Sequence, residues 1–309
     1  MTGPERGFLL LTSLLGDPER RPLTLAQFRA LTNRAAHMEQ PDSLRDLEER
    51  DLVALGCDPE LARRILALLD EEDRLDYYLA KGKRAGCVPV TRVSAQYPWE
   101  LRSRLGAEAP GCLWAMGDLS LLDKPAVALV GSRDLNSANR EFAREVGRQA
   151  AIQGFTLVSG NARGADREAQ NACLEAGGRV ISIVADELAK QPVRERILYL
   201  SEDDFDQPFS KIRALSRNRS VHAWSGKTFV AQATLQKGGT WDGTSRNLRF
   251  GWSSVYCFAD GSDATTVLGQ MGASPVTVKD LDDFGALPEP LNFLNNHYEL
   301  GGDPYEQSR

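Results

Sequence analysis

Ala126-Val127-Ala128-Leu129-Val130-Gly131-Ser132-Arg133 and, further on, Phe155-Thr156-Leu157-Val158-Ser159-Gly160-Asn161-Ala162-Arg163-Gly164-Ala165-Asp166 decide how this chain folds. Each is a short apolar run, partly β-branched, that stops at a glycine turn, which is the pattern of a buried strand. Between them Ser137-Ala138-Asn139-Arg140-Glu141 leads into a helix. Ala138, Phe142, Val146 and Ala150 recur on one face, and Gly154 is placed to end it. A second helix runs to Gly177-Gly178, and Val180-Ile181-Ser182-Ile183-Val184 is a third strand. Strand, turn, helix, twice over, predicts a βαβαβ core with parallel strands.

The two turns are expected side by side at the carboxyl ends of neighbouring strands. Glycine lets a ligand approach the backbone, and a following helix offers free N–H groups to an anion. Ser132 and Ser159 can donate hydroxyl hydrogen bonds, and Arg133 and Arg163 can fork onto phosphate oxygens. For either turn alone, Gly131, Gly160 and Gly164 serving only to make a tight bend is an equal explanation. Two turns with Gly, Ser and Arg at the same topological place favour an anion site. Neither turn is G-x-G-x-x-G or G-x-x-x-x-G-K-[ST], which disfavours an ordinary dinucleotide fold and a nucleoside triphosphatase.

A chain of 309 residues has room for two domains, and 26% charged with 42% hydrophobic residues is ordinary for a soluble globular protein. The net charge of −6 makes any nucleic-acid surface a local basic patch on an acidic body, with salt-sensitive phosphate affinity. No apolar run approaches a membrane span, and the N-terminus lacks the layout of a signal peptide. Cys57, Cys87, Cys112, Cys173 and Cys257 are scattered and never form C-x-x-C. Buried thiols in a reducing cytoplasm are expected, with no zinc site, metal or cofactor.

Outside the core, residues 1–90 read as a small helical module. Phe8 to Leu15 opens it, Thr24-Leu25 starts a second helix, Ser43-Leu44-Arg45-Asp46 caps a third, and Gly56 then Asp58-Pro59 mark a stop and a restart. Val88-Pro89-Val90 is a short strand, Tyr97 to Leu101 begins a connector, and Leu113 to Gly117 is a strand leading into the core. After the core, Ser201-Glu202-Asp203-Asp204-Phe205-Asp206 reads as a solvated acidic loop. Lys211 to Arg219 is the densest basic segment, carrying Arg213, Arg217, Asn218 and Arg219; such a run is usually a solvated face. Thr228 to Ala233 is a strand, Lys237-Gly238-Gly239-Thr240 a third glycine-rich turn, and Val255 to Phe258 a further strand. A helix from Thr265 to Gly272 and a short strand Val276-Thr277-Val278 follow. The fold class is therefore α/β: a Rossmann-like three-layer domain with a mainly parallel sheet over residues 91–285. A tail at 286–309 carries no winged helix.

At this point the chain resembles the DNA-processing protein A (DprA/Smf) family. The residues that carry the resemblance are Tyr97-Pro98 and Gly117, Val130-Gly131-Ser132-Arg133, Ser159-Gly160 with Ala162, Gly164 and Asp166, and Arg217-Asn218-Arg219. The resemblance implies single-stranded DNA bound in a basic pocket, a homodimer, and loading of a RecA-type recombinase in natural transformation. It assigns no catalysis. The phosphate-binding set is then Gly131, Ser132, Arg133, Ser159, Gly160, Arg163, Gly164, Asp166, Lys211, Arg217, Asn218, Arg219, Lys237, Gly238, Gly239 and Thr240. Asp166 is expected to cap its helix or hold an arginine, because a carboxylate repels phosphate. The sequence departs from the family at Ala165, at Ala169-Gln170, at Gln232 where a Glu is common, and at the third turn.

Two rivals share the fold: a sensor of a nucleotide-derived ligand, and a phosphoribohydrolase like the cytokinin-activating LOG proteins. The hydrolase needs P-G-G-x-G-T-x-x-E, whereas Gly238-Gly239-Thr240 lacks the proline and no Glu follows in place. His37, His222 and His297 lie far apart, outside any catalytic motif, with His222 expected at the surface or core edge. Trp224 and Trp241 are expected to pack, with base stacking as the alternative.

Overall fold

Apolar runs that are buried on both faces suit the middle of a parallel sheet. In the computed structural model, which describes residues 1–36 and 48–288, such runs form the centre of a nine-stranded sheet. Helices α1 (Gly3–Thr12), α2 (Leu25–Ala35), α3 (Glu49–Ala54), α4 (Pro59–Leu69) and α5 (Glu72–Arg84) come first. Then follow β1 (Val88–Thr91), α6 (Trp99–Leu105), β2 (Cys112–Gly117), β3 (Ala126–Val130), α7 (Ser137–Ile152), β4 (Thr156–Ser159), α8 (Ala165–Glu175) and β5 (Arg179–Ile183). The chain continues with β6 (Ile197–Ser201), α9 (Lys211–Trp224), β7 (Lys227–Val230), α10 (Gly238–Phe250), β8 (Ser254–Phe258), α11 (Asp263–Gln270) and β9 (Ser274–Val276).

The strand order is β1-β2-β6-β5-β4-β3-β7-β8-β9. Pairing is antiparallel from β1 to β2 and from β2 to β6, and parallel from β6 through to β9. From β3 the chain winds to one side through β4, β5 and β6, and later returns to place β7 on the other side of β3. That reversal opens a crevice at the carboxyl ends of β3 and β7, the place where open α/β sheets bind ligands.

Alternate residues of each strand feed two cores. Val127, Leu129, Leu157 and Val180 face Phe142, Val146, Ala169 and Cys173 of α7 and α8, and the same core continues into Leu9, Leu10, Leu11, Ile65 and Leu68 of the N-terminal helices. Ala128, Val130, Val158 and Ile181 face Leu101 and Leu105 of α6 and Val221 and Trp224 of α9. Trp224 thus packs as expected, and Trp241 lies partly buried against the same core. The helix signals at Thr24, Asp58 and Gly154 also hold: Thr24 and Asp58 cap α2 and α4, and Gly154 takes φ +78° just after α7. On α7 the buried polar positions are Asn139 and Gln149, while Ala138 is exposed.

Other expectations are corrected. The connector after Tyr97-Pro98 is helix α6, and Ile197–Ser201 is a strand between β2 and β5 that the sequence reading passed over. The short strand at Val276 spans Ser274–Val276, with Val278 opening a 3-10 turn. The acidic segment after β6 is a seam rather than a solvated loop. Ser13 Oγ (2.9 Å) and Trp114 Nε1 (3.3 Å) donate to Asp204, and Tyr78 Oη (2.8 Å) and Lys81 Nζ (2.7 Å) donate to Asp206. Phe205 between them meets Tyr78 and Trp114 with ring centroids 4.8 and 4.7 Å apart. Buried Arg20 fastens the helices themselves, donating to the carbonyls of Leu10, Ser13 and Leu68 and pairing with Glu71. All five cysteines are free, and all but Cys112 are buried. Among the described residues no helix is long and apolar enough to cross a membrane. The cap read at Ser43 to Asp46, His37, His297 and the tail beyond residue 288 lie outside the described residues.

Helices α7 and α8 approach so closely that a Cβ at Gly147 would stand 2.1 Å from the Ala169 carbonyl oxygen. Since that neighbour is backbone, Gly147→Ala forces the helices apart. It is expected to cost at least about 1–3 kcal/mol in urea unfolding; an unchanged midpoint would contradict this packing.

Candidate functional site

The first turn is built by its neighbours. Val130 pairs with Val230, and just beyond this pair the Ser132 N–H (2.9 Å) and Oγ (3.2 Å) both donate to the Gln232 carbonyl. The Gln232 side chain accepts from the Asn136 N–H at 3.2 Å and donates to the Asp134 carbonyl at 3.1 Å, clamping the loop that leaves the turn. A Cβ on Gly131 would meet the Ala165 Cβ at 2.4 Å, and one on Gly164 the Arg133 carbonyl at 2.3 Å. These two glycines therefore let the first and second turns press directly together, a junction sealed by the Ala165 N–H donating to the Ser132 carbonyl at 3.1 Å.

The second turn is braced by Asp166, whose Oδ2 accepts the Ala162 N–H at 3.0 Å. Asp166 thus holds the turn from inside the first turn of α8 and does not cap that helix, whose N-cap is Gly164. Burial pushes the Asp166 carboxyl above its usual range, opposed by the nearby Arg217 charge and the backbone hydrogen bonds. Ser159 is fully buried, accepting from Gln170 Nε2 at 2.6 Å, so it stands behind the turn.

Arg217 reaches this junction from α9. A Cβ at Gly160 would fall 1.3 Å from an Arg217 terminal nitrogen, so the guanidinium as seated fills the space a side chain at 160 would take. Arg217 is just 7% exposed, and its Nε has no hydrogen-bond partner among the described residues. Burial weakens its hold on the proton, while the fields of Asp166, Glu202 and Asp186 oppose that. An arginine stays charged even so. Next to it Asn218 Nδ2 donates to the Gly239 carbonyl at 3.1 Å, tying α9 to the third turn.

Together these pieces line a cavity of about 440 Å³ at the β3/β7 crevice. It collects Gly131, Ser132, Arg133, Gly160, Asp166, Lys211, Arg217, Asn218 and the third turn Lys237 to Thr240. Four cationic residues, Arg133, Lys211, Arg217 and Lys237, thus share this wall with one acidic residue, Asp166. Arg133, Lys211 and Lys237 make no ion pair among the described residues. The structure does not bring Ser159, Arg163, Gly164 or Arg219 to this wall. Arg163 is exposed, 3.9 Å from Asp134, and Arg219 lies 3.7 Å from Glu108.

Free helix ends also differ between the turns. The start of α7 is capped by Asn136, and the first N–H of α8 is spent on Ser132. The start of α10 has no side-chain cap, and its first residues line the cavity. The anion-seeking helix end is therefore at the third turn.

Phe209, Ala214 and Leu215 also line the cavity and were missed in the sequence. Their signal was an apolar spacing of three, Phe209, Ile212 and Leu215, left 58%, 80% and 41% exposed inside a basic segment. His222 corrects its expectation too: it is fully buried under the cavity. Its Nδ1 lies 3.1 Å from Asn247 Nδ2, and its Nε2 has no partner among the described residues.

Burial brings the His222 pKa down to about 3, so the folded protein keeps it neutral. The unfolded chain takes up this proton below about pH 6.5. The contribution is whole above that pH and shrinks as pH falls toward 3, amounting to a loss of about 2 kcal/mol at pH 5. Asp166, Glu202 and Asp204, raised by burial, work in the opposite direction. The comparison is therefore between wild type and His222→Gln by thermal unfolding from pH 7 to 5. The wild type should lose more stability over that range, and parallel curves would contradict the assignment.

Comparison with known proteins agrees with this architecture. The family described as DNA recombination-mediator protein A matches residues 89–251. The DNA processing protein DprA of Bacillus subtilis is 28% identical over 177 residues, covering 53% of this chain and 59% of that protein. The chain spans between half and two thirds of the length of this and a second DprA relative. The crystal structure of DNA processing protein A from Streptococcus pneumoniae superposes with a TM-score of 0.69 at 25% identity, over 91% of this chain and 97% of that one. A structure of the Helicobacter pylori protein, described for its single-stranded DNA binding mode, matches with a TM-score of 0.53 at 23% identity, over 63% and 94% of the two chains. The chain belongs to the DNA recombination-mediator protein A family, also known as DprA or Smf.

Proposed function

We propose that this chain binds single-stranded DNA through the cavity at the β3/β7 crevice. The observation that carries the reading is that Arg133, Lys211, Arg217 and Lys237 line one cavity with a single acidic residue, in a protein whose net charge is −6. Backbone phosphates supply the matching charge, and Phe209 and Leu215 at the rim offer apolar surface to bases. Family membership supports the reading, as does the single-stranded DNA binding described for the Helicobacter pylori relative. On the same reading the chain acts without catalysis, as a cytoplasmic homodimer that protects single strands and passes them to a RecA-type recombinase during DNA uptake. The division near residue 90 belongs to this proposal: a helical module stands before a DNA-binding domain, and the family match begins at residue 89.

The cavity volume favours one alternative, a sensor of a small nucleotide-derived ligand, since about 440 Å³ is in the range of small-molecule sites. A LOG-like hydrolase is less well supported. Asp166, the one carboxylate in the wall, is buried and committed to the Ala162 N–H, and Asp242 beyond the third turn is not part of the wall.

Titration of labelled oligo-dT at two salt concentrations tests the proposal. Arg133→Ala and Lys237→Ala should each weaken binding about tenfold or more, the scale of a hydrogen bond to a charged group. Each should also flatten the salt dependence by about 0.7 in log–log slope per lost phosphate contact. Wild-type protein that ignores oligo-dT at low salt, yet is stabilised against heat by a mononucleotide, would transfer the site to the sensor reading.

A further inference from the structure

A second cavity, of about 420 Å³, abuts the first. Leu215 and Gly239 belong to both walls, so the Leu215 side chain and the first turn of α10 form the ridge between them. Beyond the ridge, Arg219 of α9 and Arg246 of α10 converge on a single oxygen, Glu108 Oε2, at 3.7 and 3.6 Å. Glu108 ends the 3-10 turn Gly106–Glu108 that follows α6. The Arg246 guanidinium also lies 5.7 Å from the ring of Trp252, which helps to close this cavity.

Three features set this cluster apart from an ordinary structural ion pair. Both contacts are longer than a hydrogen bond, so neither guanidinium uses its fork on Glu108. The side chains of Arg246 and Glu108 are 49% and 53% exposed, where such a pair contributes little stability. Arg219 Nε and Ser245 Oγ are buried, have no hydrogen-bond partner among the described residues, and belong to residues of this wall. Asp242 also lines this wall, but the two guanidiniums, which make no hydrogen bond among the described residues, have donors to spare for the several acceptor oxygens of a phosphate.

We propose that this second cavity is a further phosphate subsite on the same strand path. Arg219 and Arg246 are its ligands, and Glu108, beside these arginines, is a counter-ion that the incoming strand displaces. The inference rests on the single-stranded DNA reading of the first cavity. Lys211 at the first cavity and Arg219 at the second are roughly 12 Å apart along α9, at 1.5 Å rise per residue, so a strand following the helix crosses the ridge. Glu108 then has a definite consequence: it competes with DNA for the two arginines, and its charge weakens binding.

The test is a ladder of labelled oligo-dT from about 4 to about 16 nucleotides, the span of single-strand site sizes, titrated against wild type, Arg246→Ala and Glu108→Gln. Arg246→Ala should leave the shortest oligonucleotide unaffected and weaken the longer ones. It should also lower their salt slope by about 0.7, one phosphate contact. Glu108→Gln should tighten the longer oligonucleotides about two- to fivefold, the scale of one exposed ion pair, and leave the shortest unchanged. Melting curves of both variants identify any loss of folding, which cannot in any case produce the gain expected of Glu108→Gln. Equal binding of long oligonucleotides by wild type and Glu108→Gln, or equal effects of Arg246→Ala at every length, would overturn the second subsite while leaving the first cavity intact. Wild-type protein that binds no oligonucleotide at all would instead remove the parent reading.

Discussion

The Arg217 guanidinium, seated in the space left by the missing side chain at Gly160, is the contact on which the rest of the site depends. A cation so deeply buried is costly unless charge of the opposite sign is close by. Asp166 supplies that charge from the start of α8, and in turn needs the Ala162 N–H to stay in place. The second turn, α8 and α9 therefore meet where the Gly160 gap admits the Arg217 guanidinium within the field of Asp166. The first turn is locked to the second through Ala165 and Ser132, and the third to α9 through Asn218 and Gly239. With these internal demands met, Arg133, Lys211 and Lys237 are left free of ion pairs among the described residues and face the cavity.

The remaining acidic charge is placed where it does other work. Asp204 and Asp206 are spent on Ser13, Trp114, Tyr78 and Lys81, fastening the sheet edge to the N-terminal helices, and Asp203 pairs with Arg213 at 2.5 Å. Arg213, though one helical turn from Arg217, is thus drawn away from the cavity. The same basic segment serves two purposes, Arg213 holding the acidic seam while Lys211 and Arg217 line the cavity of a chain with net charge −6.

Much of this was legible in the residues. The runs at 126–130 and 156–158 show as buried strands because a parallel sheet covered on both faces needs unbroken apolar sequence. Thr24, Asp58 and Gly154 show as helix ends because capping is local chemistry. The two glycine turns were legible as a pair, and the crevice they border with Lys237 to Thr240 follows from the strand order. What could not be read depends on partners distant in the chain. Asp204 looks like a solvated residue until Ser13, 191 positions earlier, is seen to donate to it. His222 sits in a polar, basic stretch, and its burial comes from α10 and Asn247 folding over it. Asp166 reads from its place at a helix start as a cap or as the holder of an arginine; the turn before that helix claims its carboxylate, and its charge acts on Arg217. Ile197–Ser201 was passed over although its Ile-Leu-Tyr-Leu run is as apolar as its neighbours.

The central claim is that the crevice between β3 and β7 receives phosphate. A structure of the protein crystallised with a short oligo-dT tests it most directly. The account predicts a backbone phosphate within hydrogen-bond distance of Arg133 or Lys237 and of the first N–H groups of α10, with Arg217 still seated beside Gly160. A strand bound on another face, with this crevice filled by solvent alone, would contradict it.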